Sequence, residues 1–376
     1  MNFNIPFLRP IRILLFPFSL VYWLAIFIRN KMFDNGLLNT HRFNIPIICV
    51  GNVATGGTGK SPMVEYIVKT LKDHIKLATL SRGYKRKTSG YALANNYSTA
   101  LEIGDEPMQF HLKFPDVAIA VGEERAEAIP QILHDHPDTR VIILDDAFQH
   151  RTVEAGLNIV LTDQNNLYSR DWYLPTGDLR DEKRSAKRAD IIVVTKCKPD
   201  LSLKEKVEIE QELDLREGQQ IFFTCIRYGM PYHLLTKNTE YISPETEVLL
   251  VTGIANPAPL KMMLDENAKT YYELAYNDHH IFTIDDLNDV IKRFEGINAE
   301  QKMIVTTEKD AVRLVKFEKE LLKLPIYAVP IEQQFLFNEG TRFNSLIGTF
   351  IKEFEHRTSN NYDKKKGEKE DKKNLR

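Results

Sequence analysis

One stretch concentrates the residue types that grip a phosphate: Ala54-Thr55-Gly56-Gly57-Thr58-Gly59-Lys60-Ser61. A phosphoryl group needs several backbone N–H donors aimed at it and a cation close by. Glycines let the chain wrap that tightly, and a helix starting where the loop ends adds the positive end of its dipole. Lys60 would reach the β- and γ-phosphates, and the Ser61 hydroxyl would coordinate Mg²⁺. The pattern is a P-loop with one departure, since Ala54 stands where the motif usually opens with glycine. A second feature is Asp145-Asp146, which ends the apolar run 141–144. P-loop proteins place a Mg²⁺-holding carboxylate at such a strand end. A third feature is negative. Guanine-reading relatives carry Asn or Thr, then Lys, any residue and Asp, whereas this chain has Thr195-Lys196-Cys197-Lys198. An ammonium accepts no protons from guanine, so Lys198 favours ATP over GTP.

Two further clusters read less sharply. Gly104-Asp105-Glu106-Pro107 is expected to be a loop with two acids, either a general base facing an acceptor hydroxyl or an ordinary polar turn. Asp278-His279-His280 stands equally open as a base, a base-orienting group, part of a metal site, or a surface pair.

The elements that must hold these residues follow from apolar periodicity. The run 45–50 reads as a buried strand leading into the loop, and residues 64–71 carry apolar positions at helical spacing. Further strands are expected at 77–80, 117–121, 141–144, 157–162 and 191–195, with a helix at about 123–134. Continuous apolar strands alternating with helices predict a mostly parallel α/β sheet covered on both faces. A second set of strands follows at 221–224, 247–252, 269–274, 303–306 and 326–329. Helices are expected at 203–215, 257–265, 283–294, 308–313 and 338–354. The expected division is an N-terminal helix (1–35), a P-loop domain (36–217), a smaller α/β domain (218–355) and a disordered, Lys- and Glu-rich tail (356–376).

Residues 13–28 contain no charge, and Arg9, Arg12, Arg29 and Lys31 flank them. Sixteen residues fall short of the roughly 20 a spanning helix needs. Tyr22 and Trp23 suit an interfacial depth. A helix lying in or dipping into a membrane is expected, with a helix docked on the body as the alternative. A signal peptide would need a small-residue cleavage site, which does not follow. Cys49, Cys197 and Cys225 lie far apart, without disulfide or metal spacing, which fits a reducing compartment. A formal net charge of -2 gives no sign of a nucleic-acid partner. The residues alone leave three function classes in play: a kinase, a P-loop ATPase or GTPase that switches or delivers cargo, and a membrane-bound scaffold. Intact Lys60, Ser61 and Asp145 argue against the scaffold.

Taken in order, the motifs resemble the tetraacyldisaccharide 4′-kinase family, the lipid A 4′-kinases of Gram-negative bacteria. They are Val50-Gly51-Asn52, Gly56 to Pro62, Ser81-Arg82-Gly83-Tyr84, Gly104 to Pro107, Asp145 to Arg151, Leu179-Arg180, Gly253 to Pro257, Asp278-His279-His280 and Thr306 to Val312. The likeness runs from the N-terminal helix to about residue 345, and the family shares the irregular start at Ala54. It implies ATP- and Mg²⁺-dependent phosphorylation of the 4′-hydroxyl of tetraacyldisaccharide 1-phosphate to give lipid IVA. The family acts at the cytoplasmic face of the inner membrane, as a peripheral or monotopic protein. Carried over by motif, Asp105 is the base and His279 pairs with it across the domain cleft, so that closure would complete the site. Residues Ala54 to Ser61 hold the nucleotide, while Ser61, Asp145 and Asp146 hold the metal or its waters. Glu106, His150 and Arg180 support substrate or phosphate. Two residues depart from the family pattern: Ala147 stands in place of Gly and Asp181 in place of Glu.

Overall fold

The computed structural model describes residues 9–374. Its strands are β1 (Ile47–Asn52), β2 (Leu77–Ser81), β3 (Ala92–Leu93), β4 (Ala118–Val121), β5 (Val141–Asp145), β6 (Leu157–Asp163) and β7 (Ile191–Thr195). They continue with β8 (Gln220–Tyr228), β9 (Tyr232–His233), β10 (Glu247–Thr252), β11 (Thr270–Ala275), β12 (Lys302–Thr307), β13 (Ile326–Val329) and β14 (Ile331–Phe335).

The larger sheet has the order β14-β8-β7-β6-β1-β5-β2-β4-β3. β1 lies between β5 and β6 and runs parallel to both. From this position the chain winds outward in both directions, so a crevice opens beyond the carboxyl end of β1. Every residue of β1, β2, β5 and β7 is buried. That explains their unbroken apolar character, because helices cover both faces of a parallel sheet. The smaller sheet, β11-β10-β12-β13-β9, is parallel apart from β9 and has its own core around Phe282, Leu287, Ile304 and Ile326.

The boundary expected at 217/218 moves. β8 pairs in parallel with β7, and β14 returns to pair antiparallel with β8. The smaller sheet is therefore an insertion in the edge of the larger one. Phe222, Phe335 and Phe343 pack edge-on or tilted against one another within a single cluster, which draws β8, β14 and the last helix onto the first body. Such long-range packing leaves no mark in a strand-by-strand reading. The last helix runs Gly340–Asn374 and so continues through much of the segment expected as a disordered tail.

At the N-terminus, helices Arg9–Leu14 and Phe16–Asp34 meet at Leu15, with Pro17 in the opening turn of the second, where a missing N–H costs nothing. No helix among the described residues is long and apolar enough to cross a membrane. The second helix docks by its polar side. Ser19 donates to the Tyr173 carbonyl and to Thr176 Oγ1, and Asn30 Nδ2 donates to Asp181 and Glu182, each at 2.9 Å. Asp181 is buried and also binds Ser185 and Arg188. Leu14, Phe18, Leu20, Val21, Leu24 and Ile28 remain exposed.

Candidate active site

The phosphate loop leaves β1 and ends in the helix Lys60–Leu71. Two of its glycines are conformationally required: Gly56 has φ +99° and Gly59, the residue before the helix, has φ +85°. The irregular Ala54 is buried beneath the loop and forms a backbone bridge with Leu179, while Thr55 N donates to the Asp178 carbonyl at 2.7 Å. Asn52 Nδ2 donates to Thr58 Oγ1 at 2.9 Å, and Thr195 Oγ1 donates to the Thr58 carbonyl at 2.7 Å. Neighbouring strands thus tether the loop from both sides. Gln333 Nε2, on β14, donates to the Gly59 carbonyl at 3.3 Å. Lys198 stands exposed near the far end of β7, where its N–H donates to Gln164 Oε1.

Beside the loop, the end of β5 carries two carboxylates in different surroundings. Asp146 turns outward at φ +50°, faces Lys60 Nζ at 3.7 Å, and is held by the two terminal guanidinium nitrogens of Arg180. Burial resists its ionisation, but Lys60 and Arg180 overcome that and hold its pKa below the usual carboxyl value. Arg180 also reaches Asn52 Oδ1. Asp145 is almost wholly buried, and its Oδ1 has no hydrogen-bond partner among the described residues. Burial, then Glu106 and Asp146, push its pKa up to about 7. Ala147, in the family's glycine position, is buried at negative φ, because the left-handed residue of this turn is Asp146. Close approach is needed instead at Gly51, where a Cβ would meet Phe148 Cβ at 2.5 Å.

The segment expected as a loop at 104–107 is the start of a helix. Asp105 and Glu106 occupy the first turn of Asp105–Lys113, where acids suit the dipole and Pro107 removes no needed donor. Gly104 makes the bend before it at φ +96°. Asp105 meets the smaller sheet directly: His279 Nδ1 lies 3.0 Å from its Oδ2 and Arg313 Nε 3.1 Å from its Oδ1. Arg313 Nη2 also binds Oδ2. Burial raises the pKa of Asp105, but hydrogen bonding and charge from Arg313, then His279, leave it below the usual carboxyl value. His279 reaches this position on a turn with φ +63°, its N–H donating to the Gly253 carbonyl at 3.1 Å. The contact expected to require closure is already made. Glu106 pairs with Lys309 at 3.2 Å and also raises the pKa of Asp145, so the Asp105 helix begins beside the phosphate grip.

His150 is half-buried, and burial together with Arg125, Arg82 and Arg29 lowers its pKa to about 4, so its ring is neutral at pH 7. Arg125 is fully buried with Nε and Nη2 unpartnered, and burial lowers its pKa to about 10 despite Asp145 and Asp146. Sequence reasoning missed Arg125 and Arg313. Nothing local marks Arg125. Arg313 lies one residue past the motif ending at Val312, three after Asp310 on the same helix face.

Among the described residues no cluster of three or more His, Cys, Asp or Glu is arranged to hold a metal. Mg²⁺ bound with a nucleotide needs no such cluster. It takes one or two carboxylates plus phosphates and water, and the orphaned Asp145 oxygen fits that demand.

A family profile described as "Tetraacyldisaccharide-1-P 4'-kinase" matches residues 11–351. The tetraacyldisaccharide 4'-kinase of Bacteroides thetaiotaomicron is 43% identical over 353 residues, covering 90% of this chain and 93% of the relative. That of Flavobacterium johnsoniae is 42% identical over 345 residues, covering 91% and 98%. A crystal structure of LpxK from Aquifex aeolicus in complex with ATP superposes with a TM-score of 0.71 at 26% identity, over 91% of this chain and 99% of that one.

Proposed function

Since the chain belongs to the tetraacyldisaccharide 4′-kinase family, we propose that it transfers the γ-phosphate of ATP to the 4′-hydroxyl of tetraacyldisaccharide 1-phosphate, giving lipid IVA. The observation that carries this reading is a carboxylate, Asp105, held by His279 and Arg313 beside a phosphate loop. A nucleotide switch has no use for a carboxylate poised at the cleft. A kinase needs one to orient an acceptor hydroxyl and receive its proton.

The loop amides and Lys60 bind the β- and γ-phosphates. Ser61 and Asp145 would hold the Mg²⁺, which would neutralise charge on the phosphates when bound with the nucleotide. The assignment to Asp145 is supported by its partner-free oxygen, whereas Asp146 is already committed to Lys60 and Arg180. Arg125, Arg82 and Arg29 gather positive charge around neutral His150, suited to a phosphate-bearing acceptor. Asp105 takes the proton of the 4′-hydroxyl as its oxygen bonds to the γ-phosphorus and the bond from that phosphorus to the β–γ bridging oxygen breaks, releasing ADP.

The membrane is the proposed partner surface, at the cytoplasmic face of the inner membrane, and no nucleic acid takes part. The support is the inverted helix Phe16–Asp34, which spends Ser19 and Asn30 on the body and leaves Phe18, Val21 and Leu24 outward. An exposed apolar face flanked by Arg29 and Lys31 suits an anionic bilayer surface.

Purified protein with MgATP labelled at the γ-position and tetraacyldisaccharide 1-phosphate in mixed micelles tests the reaction. Label is expected on the lipid. Release of free phosphate without lipid product would favour an ATPase instead. Flotation with phosphatidylglycerol vesicles tests the surface: binding is expected to drop when Phe18, Val21 and Leu24 become Ser, with the transfer rate on detergent-dispersed acceptor retained.

A further inference from the structure

Arg313 lies 208 positions from Asp105 in sequence, yet its guanidinium forms a two-pronged grip on that carboxylate. Its own side chain is almost entirely shielded from solvent. The grip divides the two carboxylate oxygens. Oδ2 receives Arg313 Nη2 and faces His279 Nδ1 at 3.0 Å, while Oδ1 receives only Arg313 Nε at 3.1 Å. A carboxylate oxygen has room for about two donors. Among the described residues Oδ2 has two neighbours, one of them the histidine nitrogen, whereas Oδ1 has one donor and room for another. We propose that Arg313 is a positioning residue for the transfer, turning Asp105 so that Oδ1 receives the acceptor hydroxyl and its proton.

A second anchor makes this geometry stiff. Asp310 is fully buried, and its Oδ2 accepts from Gly253 N at 3.0 Å and Thr307 Oγ1 at 2.7 Å. Its Oδ1 faces Arg313 Nη1 at 3.6 Å. Gly253 in turn accepts the His279 N–H at 3.1 Å. One buried carboxylate therefore braces both the arginine and the turn that presents the histidine. His279 Nδ1 lies 2.8 Å from Arg313 Nη2. An arginine only donates, so two tautomers are available. Nδ1 accepts from Arg313 with the proton on Nε2 toward Asp278, 3.8 Å away, or Nδ1–H serves Asp105. A low-pKa carboxylate suits this role because phosphoryl transfer runs through a loose transition state and asks its base mainly to orient the nucleophile.

The inference rests on the reading of Asp105 as the base, and the two fail separately. Lipid phosphorylation is measured from pH 5 to 9 for wild type, Asp105→Asn, Arg313→Gln and Arg313→Lys, with circular dichroism and ATP binding as checks of folding. The charges facing Asp105 are Arg313 and His279, with Asp310 behind Arg313, Asp278 beyond His279, and the Glu106–Lys309 pair alongside. Arg313→Gln removes the cation that favours the ionised acid. The acidic limb of kcat should move to higher pH, and kcat at pH 7.5 should fall roughly 100-fold, the scale of a misplaced reacting group. KM for ATP should stay within about two-fold, because the phosphate grip is untouched. Arg313→Lys keeps the charge but loses the fork, so its limb should stay near wild type while kcat still falls about 10-fold. Wild-type transfer by Asp105→Asn sinks the base reading. An inactive Asp105→Asn beside wild-type kcat in Arg313→Lys or Arg313→Gln overturns the positioning role alone. If Arg313→Gln does not fold, Arg313→Lys decides by the same kcat criterion.

Discussion

Asp145 and Asp105 lie on opposite sides of one cleft and have been given opposite environments. Asp105 is held by its own protein: an arginine fork and a histidine, both from the inserted domain, keep it ionised in the ligand-free molecule. Asp145 is buried with one oxygen unpartnered, and its pKa rises to about 7. The first acid is prepared for its task before anything binds. The second keeps an oxygen that no described residue partners. Phosphoryl transfer asks for both kinds, a fixed orienting group and a charge sink supplied with the nucleotide.

The largest effect that tests the contrast is kinetic. Asp105→Asn should lower kcat for lipid phosphorylation by about 10²–10⁴-fold, the range for losing a general base, with ATP affinity nearly unchanged in a fluorescent-nucleotide titration. Loss of ATP affinity instead would mean that Asp105 belongs to the phosphate side, and the division would collapse.

A partnered acid elsewhere sharpens the comparison. Glu65, on the phosphate-loop helix, and Glu308, on the Arg313 helix, share Lys113 at 2.5 and 2.6 Å. Burial, then Glu308, still push Glu65 up to about 7 despite Lys113. Partnering is thus not enough when two acids divide one cation. Lys113→Met strands two buried carboxylates and should cost about 3–5 kcal/mol in a urea titration. A loss under about 1 kcal/mol would place the pair in effective contact with water.

The two acids should also shift stability with pH in opposite directions. A depressed carboxyl, such as Asp105, contributes stability that is present above its unfolded value of 3.8 and lost as pH falls through its folded value. A raised one, such as Asp145, contributes stability below 3.8 that is lost as pH rises through about 7. Without Mg²⁺, Asp145→Asn should therefore stabilise the protein above pH 7 by about 1–3 kcal/mol, the cost of an unsatisfied buried group. Thermal melts at pH 8 decide it, and a destabilised variant would contradict the raised pKa.

The smallest signal is a proton. If cation binding ionises Asp145, adding MgATP at pH 6 should release close to one proton from this group. Calorimetry in buffers of different ionisation enthalpy reads the number, and Asp145→Asn should lose it. Equal release in both proteins would trace the proton elsewhere.

Much of this could be read along the chain. Strand, glycine loop and helix are adjacent in sequence, so their joining is a local matter of φ angles and apolar period. Gly56 and Gly59 adopt the positive φ values that such a loop demands, and Asp145-Asp146 ends its strand where expected. The first strands were visible because both of their faces are buried. Asp105 was visible as an acid but misread as part of a loop, since a helix beginning in acids and proline looks like a turn until its far end is packed. The short β3, β9 and β14 escaped notice because a partner strand, rather than their own pattern, makes them strands.

The sequence by itself determined the phosphate grip, the acidic strand end and the alternation that makes a parallel sheet, because each depends on residues within about one element of one another. Only the tertiary structure decided that β8 and β14 complete the first sheet around an inserted domain. It alone turned Ser19 and Asn30 inward to leave an apolar face outside, and it brought Arg313 and His279 onto Asp105. Those pairings join residues more than 100 positions apart, and their partners are selected by packing and by the cost of burying unpaired charge, which no local pattern records.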